Sequence, residues 1–196
     1  TDMTTAALHN ATFAAGNLTM VGELTTRTST VSAASAVIFW PTVDFHAASD
    51  LTFGNLALFS PTDSLLLDMS TGTTCKVTSM LEAMHGTGAV FALTQGARLL
   101  STGTNSLNVT TVSLETDSEL SVSDGTLNAK LVKLTSSKLT LAKPTLTVAD
   151  VQAVDSIVNA YNETVFDVRT FKMGNSTVDA PLTSLSGSEV RFVRST

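Results

Sequence analysis

Residues 107–134 read LNVTTVSLETDSELSVSDGTLNAKLVKL, and their apolar residues return in pairs one fixed step further along. The pair Leu107/Val109 is followed by Leu127/Ala129, Leu146/Val148, Phe166/Val168 and Leu185/Gly187, at steps of 20, 19, 20 and 19 residues. A second track keeps the same steps: Val112/Leu114, Val132/Leu134, Val151/Ala153, Phe171/Met173 and Val190/Phe192. A third runs Leu120/Val122, Leu139/Leu141, Val158/Ala160 and Val178/Ala180. Apolar residues at every second position mark a strand with one buried face. A unit of 19–20 residues holding three such strands cannot bury its inner side alone, but stacked on like neighbours it can.

The corners fit this reading. Ser123-Asp124-Gly125, Ala142-Lys143-Pro144, Tyr161-Asn162-Glu163 and Pro181-Leu182 fall at one turn of the repeat. Residues of these types make sharp turns. The pattern predicts an all-β, single-stranded parallel β-solenoid with about 19–20 residues and three short strands per coil. Such a coil resembles the right-handed parallel β-helix class, although the repeat itself does not set the hand. About ten coils would fit in 196 residues, a rod on the order of 45–50 Å long.

Working outward, Leu51/Phe53, Leu56/Leu58 and Leu65/Leu67 are separated by 5 and 9 residues, close to the 5 and 8 of Leu107, Val112 and Leu120. The solenoid is therefore expected over 49–196. Residues 1–48, with Ala11/Phe13, Leu18/Met20 and Val43/Phe45 out of step, read as irregular N-terminal coils or a cap. Residues 70–90 carry loop-like Ser70–Thr74 and Gly86-Thr87-Gly88, and Met80–Met84 suits a helical turn, so an insertion protruding from the rod is expected there. No spacer argues for a domain boundary.

Composition narrows the class. The chain is 43% hydrophobic and 14% charged, with a net charge of −6, which is too apolar for disorder and too acidic for general nucleic-acid binding. Ser and Thr make up 55 of 196 residues, an excess that exposed strand faces and tight corners explain. No apolar run approaches the roughly 18 residues of a membrane span. The single cysteine, Cys75, excludes an internal disulfide, and the inward-pair pattern Cys75-x-Val77 places it in the core. The chain opens at Thr1 without Met, which reads as a processed product or a portion of something longer.

Asn-x-Ser/Thr occurs at Asn10, Asn17, Asn108, Asn162 and Asn175, 5 of 9 asparagines against about 2.5 from random placement. These candidate N-glycosylation sites point to an extracellular or cell-surface location. The outward residues of the second track are Ser113, Lys133, Gln152, Lys172 and Arg191; with Arg169 nearby, Lys133, Lys172 and Arg191 form a basic stripe suited to an anionic ligand. The same pattern also fits a solvated face whose cations balance Asp150 and Glu189. The segment Val37-Ile38-Phe39-Trp40-Pro41 with Phe45 and His46 reads as an end cap or core plug. Its functional alternative is an aromatic contact through Trp40 and Phe45.

Many parallel β-helix proteins are polysaccharide lyases or hydrolases. The resemblance covers architecture only, and no catalytic residue is carried over. Asp150 and Glu189 stand at equivalent positions two coils apart, about 9–10 Å, near the separation an inverting pair needs. Nothing in the sequence supplies a cleft around them, so no enzyme is expected. Ice binding needs outward Thr in successive coils, whereas the outward ladders mix Asn, Asp, Lys, Arg and Ser with Thr. His9, His46 and His85 show no ligand spacing and no zinc motif exists, so neither a metal nor a cofactor is expected. The function that follows is a structural or adhesive solenoid whose partners are other protein chains, met end to end or side by side, and possible glycans. The alternative is a carbohydrate-binding or carbohydrate-cleaving β-helix.

Overall fold

The computed structural model describes residues 2–3, 6–62, 64–84, 88–161, 164–180, 184–186 and 189–193. Every described element is a strand, and every pairing between strands is parallel. About eight turns stack into a β-solenoid with three strands per turn.

Each turn visits three faces. Face 1 begins with Ala6–His9, Leu24–Arg27, Thr42–His46, Leu65–Met69, Ala89–Leu93 and Thr111–Glu115, and continues through 131–135, 150–154, 170–174 and Glu189–Val193. Face 2 starts at residues 12, 30, 50, 74, 98, 119, 138, 157 and 177 in successive coils. Face 3 follows each of these across a tight corner, as at 126–129, 145–148 and 165–168. The face 2 starts differ by 18, 20, 24, 24, 21, 19, 19 and 20 residues. The 19–20-residue period thus describes the C-terminal coils, while the middle of the rod is built from longer ones.

The three sequence tracks are the three inward ladders. Val112, Val132, Val151, Phe171 and Val190 pair in series on face 1. Leu120, Leu139, Val158 and Val178 do so on face 2. Leu107, Leu127, Leu146, Phe166 and Leu185 do so on face 3. From Leu18 to Met173 these ladders bury their side chains in one continuous apolar core.

Three expectations change. Residues 6–46 are not out of register: Phe13, Val31 and Leu51 form one ladder and Met20, Ile38 and Leu58 another, so the first coils belong to the rod. Their step of 18 followed by 20 hid the repeat. Next, Leu51 aligns with Cys75, Leu99 and Leu120 on face 2, not with Leu107 on face 3. A five-residue step occurs at two different corners of the coil, so spacing alone left the phase ambiguous. Finally, no protruding insertion lies among the described residues of 70–90. Thr74–Met84 is a strand whose Leu81 and Ala83 point inward against Leu56 and Leu58. The extra residues of these coils are spread over the corners, at 60–64, 70–73, 78–79 and 94–97. Strand pairing on both sides overrides the helical propensity of Met80–Met84.

The corner from face 1 to face 2 carries a device that the apolar pattern conceals. Its first residue takes positive φ in coil after coil: Asn10, Thr28, Ala47, Thr71, Gln95, Thr116, Ser136, Asp155 and Asn175. The next position or the one after turns a small hydroxyl inward, and Ser29, Ser49, Thr73, Ser118, Ser137, Ser156 and Ser176 are all buried. Ser29, Ser49, Ser118, Ser156 and Ser176 each donate Oγ–H to a carbonyl two or three residues back. Ser49, Ser156 and Ser176 also accept the amide N–H of the serine one coil earlier. A sharp bend that would strand buried backbone donors is thereby satisfied from within. Part of the Ser/Thr excess therefore lies at tight corners, as expected, but with its hydroxyls turned inward.

Between faces 2 and 3, glycine is required by contact. A Cβ on Gly125 would lie 2.0 Å from the Asn105 carbonyl oxygen, and one on Gly54 2.3 Å from that of Ala34. Asn105 itself stands in an inward ladder between Leu81 and Gly125, where its Nδ2 donates to the carbonyls of Gly103 and Asp124, each at 2.8 Å.

Candidate functional site

Face 1 presents its outward side chains in straight files, because parallel pairing in register repeats each position every coil. One file contains Thr25, Asp44, Asp68, Ala92, Ser113, Lys133, Gln152, Lys172 and Arg191. It changes sign along the rod, from aspartates in the early coils to lysines in the late ones.

The structure assembles the backbone of the expected basic stripe. Lys133 and Lys172 are exposed on either side of Gln152, and Arg191 is in register with Lys172, its side chain lying outside the described residues. Arg169 belongs to the adjoining corner. Lys133 Nζ lies 3.5 Å from Glu115 Oε1, and an Arg169 guanidinium nitrogen 3.0 Å from Asp150 Oδ2. Both pairs are solvated and worth at most about 1 kcal/mol each. They partly neutralise the stripe, and the carboxylate partners are Glu115 and Asp150. Asp150 and Glu189 do stand in register through Thr170, with the Asp150 carboxylate held by Arg169 and the Glu189 side chain outside the described residues.

The aromatic contact is revised. Phe45 is fully buried in the face 1 ladder, because alternation along Thr42–His46 turns Val43 and Phe45 inward. It forms no surface pair with Trp40. The exposed aromatics at this level are Trp40 and Phe39, the latter stacked on Phe59 with ring centroids 5.2 Å apart. Among the glycosylation candidates, Asn10, Asn17, Asn108 and Asn175 are exposed. The Asn175 amide donates to Asp155 Oδ1, and Asn162 lies outside the described residues. Cys75 is buried, and desolvation pushes its thiol up to about 12.

The acidic end of the file holds what the sequence reading missed. Asp44 and Asp68 are directly opposed partners on adjacent strands, and His46 points outward two residues beyond Asp44. One donor atom from each of Asp44, His46 and Asp68 lies within 4.8 Å of the other two, and all three residues are half-buried. Ser70, one coil on from His46, bonds the imidazole Nδ1 through its hydroxyl at 2.5 Å. Burial raises the Asp44 carboxyl above its ordinary value; His46 opposes this, Asp68 and Glu23 add to it, and Arg27 opposes it least. The sequence signal is Asp44-x-His46, but its third member arrives 24 residues later, in one of the two longest coils. His85 lies outside the described residues. His9 stands two coils before His46, with Arg27 between them.

Open grooves also lie among the described residues. One of about 410 Å³ follows the serine corner past Arg98, Asp117, Glu119, Lys138 and Asp155, and within it Lys138 Nζ pairs with Glu119 Oε1 at 3.0 Å. Another, about 560 Å³, runs past Thr147, Asp167 and Arg169. Among the described residues no helix is long and apolar enough to cross a membrane. Comparison with known protein families, curated proteins and solved structures finds no match.

Proposed function

We propose that the chain is a structural or adhesive β-solenoid of an extracellular surface, fibre or appendage, where it assembles with other chains. The supporting observation is the form of the core. The inward ladders run from coil to coil, with one file interrupted at Asn105, which suits a stiff spacer with regular outer faces. Glu189–Val193 pairs in parallel with 170–174 at one end of the rod. A parallel strand at a rod end is a template for a further coil, whether of this polypeptide or of another. Val154 and Ile157 flank the serine corner with exposed apolar side chains, which suits side-to-side packing. Exposed Asn10, Asn17 and Asn108 are compatible with a glycosylated surface.

Electron microscopy of the native assembly, with light scattering of the 196-residue chain, tests this reading. Filaments or oligomers joined through rod ends or sides support it; a monodisperse monomer in both settings overturns it.

The second reading is a carbohydrate-binding solenoid, favoured by exposed Trp40 beside the stacked Phe39 and Phe59 and by the stripe at Lys133, Lys172 and Arg191. A glycan array comparing the chain with variants in which these three cations become Ser, or Trp40 becomes Ala, separates the two. Binding that either variant abolishes favours this reading, and an array blank for all three proteins removes it.

A further inference from the structure

We propose that Asp44, His46 and Asp68 form a binding site for a divalent first-row transition-metal ion, with Zn²⁺ the best-matched species. Three observations carry this independently of the assembly role.

The first is geometry. The donors come from two neighbouring strands of one rigid sheet, and each is fixed by register: Asp44 opposite Asp68, His46 two residues along on the same side. Their ligand atoms already lie within 4.8 Å of one another. Closing these onto a common ion at bonds of about 2.0–2.2 Å needs only side-chain rotation.

The second is charge. Two carboxylates directly opposed on adjacent strands repel and destabilise the pair. Glu23 adds a third negative charge felt by Asp44, and Arg27 supplies one positive charge. Three carboxylates against one guanidinium give the patch a local excess of two negative charges, which a divalent ion matches.

The third is the support of the imidazole. Ser70 bonds His46 Nδ1, which fixes the ring plane; in the tautomer whose Nδ1–H donates to the Ser70 hydroxyl, Nε2 is the ligand atom. Hydrogen bonding of the second ring nitrogen is the usual way a ligating histidine is oriented.

The donor set names the class. One imidazole nitrogen with two carboxylate oxygens suits Zn²⁺ and its first-row neighbours, whereas Ca²⁺ wants six to eight oxygens and Mg²⁺ keeps its waters. Three protein ligands leave at least one position for water or for a donor from another molecule.

Isothermal titration of the 196-residue chain with ZnCl₂ in a non-chelating buffer tests the site, alongside Asp44→Asn, His46→Gln and Asp68→Asn. The expected result is one Zn²⁺ per chain and affinity at least about tenfold weaker in each variant. Asp179→Asn, remote on face 2, should bind as the parent does, and a hundredfold excess of Ca²⁺ should not displace the zinc. The apo melting temperature of Asp44→Asn should be no lower than that of the parent, since the substitution relieves repulsion; this separates lost ligation from lost fold. The proposal is overturned by absence of a one-to-one zinc isotherm, by unchanged affinity in the three variants, by equal loss in Asp179→Asn, or by displacement with Ca²⁺.

Discussion

The amide N–H of Ser156 donates to the hydroxyl of Ser176 one coil further on, across 3.0 Å, while the Ser156 hydroxyl donates to the carbonyl of Val154. This unit recurs along the corner from face 1 to face 2, and it explains how a strand can bend sharply beside a dry core. Ser29, Ser49, Ser118, Ser156 and Ser176 each donate within their own coil, and Ser49, Ser156 and Ser176 also accept a serine N–H from the preceding one, while Ser137 donates to the Leu114 carbonyl of the preceding coil.

Ser156→Ala removes a donor to Val154, whose carbonyl keeps the Ser136 N–H, and takes the acceptor away from the buried Ser137 N–H. It should lower unfolding stability by about 1–3 kcal/mol. Ser113→Ala, on the outward file, should stay within about 0.5 kcal/mol. Urea denaturation of both compares them directly; equal effects would show that the corner serines contribute nothing special.

Gly125 has φ of +97° and no room for a Cβ against Asn105, whereas Gly16, at the same corner five coils earlier, has open space around it. Gly125→Ala should therefore cost about 3 kcal/mol or more through strain and backbone displacement. Gly16→Ala should be neutral or stabilising by up to about 1 kcal/mol. Thermal melts that shift alike for both would refute the assigned packing of this corner.

Phe171 extends the Val112–Val132–Val151 ladder and meets Phe166 edge to face, with centroids 6.3 Å apart. Phe171→Ala should destabilise by about 3–5 kcal/mol. Lys172→Ala, its outward neighbour, should change stability by no more than about 0.5 kcal/mol. Denaturant midpoints of the two variants decide whether alternate residues here face opposite sides.

Cys75 keeps its proton to about pH 12 in the folded chain, against 9.0 for an unperturbed thiol. Above pH 9 the unfolded state loses this proton first, so its contribution to stability is complete below that pH and falls as pH rises towards 12. The slope is at most about 1.4 kcal/mol per pH unit. The stability difference between the chain and Cys75→Ala should narrow over this window, and native Cys75 should resist thiol reagents at pH 8. Rapid labelling without unfolding would place the thiol at the surface.

The C-terminal coils were legible because valines and leucines at 19–20-residue steps are the ladders themselves. The two 24-residue coils were not. Their additional residues lie in corners such as 60–64 and 94–97, where no apolar pattern is imposed, and Asn105 interrupts an inward file that otherwise reads as aliphatic. The Asp44–His46–Asp68 patch was invisible for the same reason: a histidine with no partner at the expected period has its carboxylate neighbour one longer coil away. Exposure of Asn108 and Asn175 was readable from an outward position and a connection. The inward serines were not, since a hydroxyl at a turn looks the same in sequence whether it faces water or the core.

Distance measured along the outward file of face 1 tests coil stacking most directly. Thr25 and Lys172 occupy the same file seven coils apart, through Asp44, Asp68, Ala92, Ser113, Lys133 and Gln152. Nitroxides placed at these two positions should give a single narrow double electron–electron resonance distance of about 34 Å, seven steps of about 4.8 Å. A broad distribution, or a narrow one below about 25 Å, contradicts a rod of stacked parallel coils.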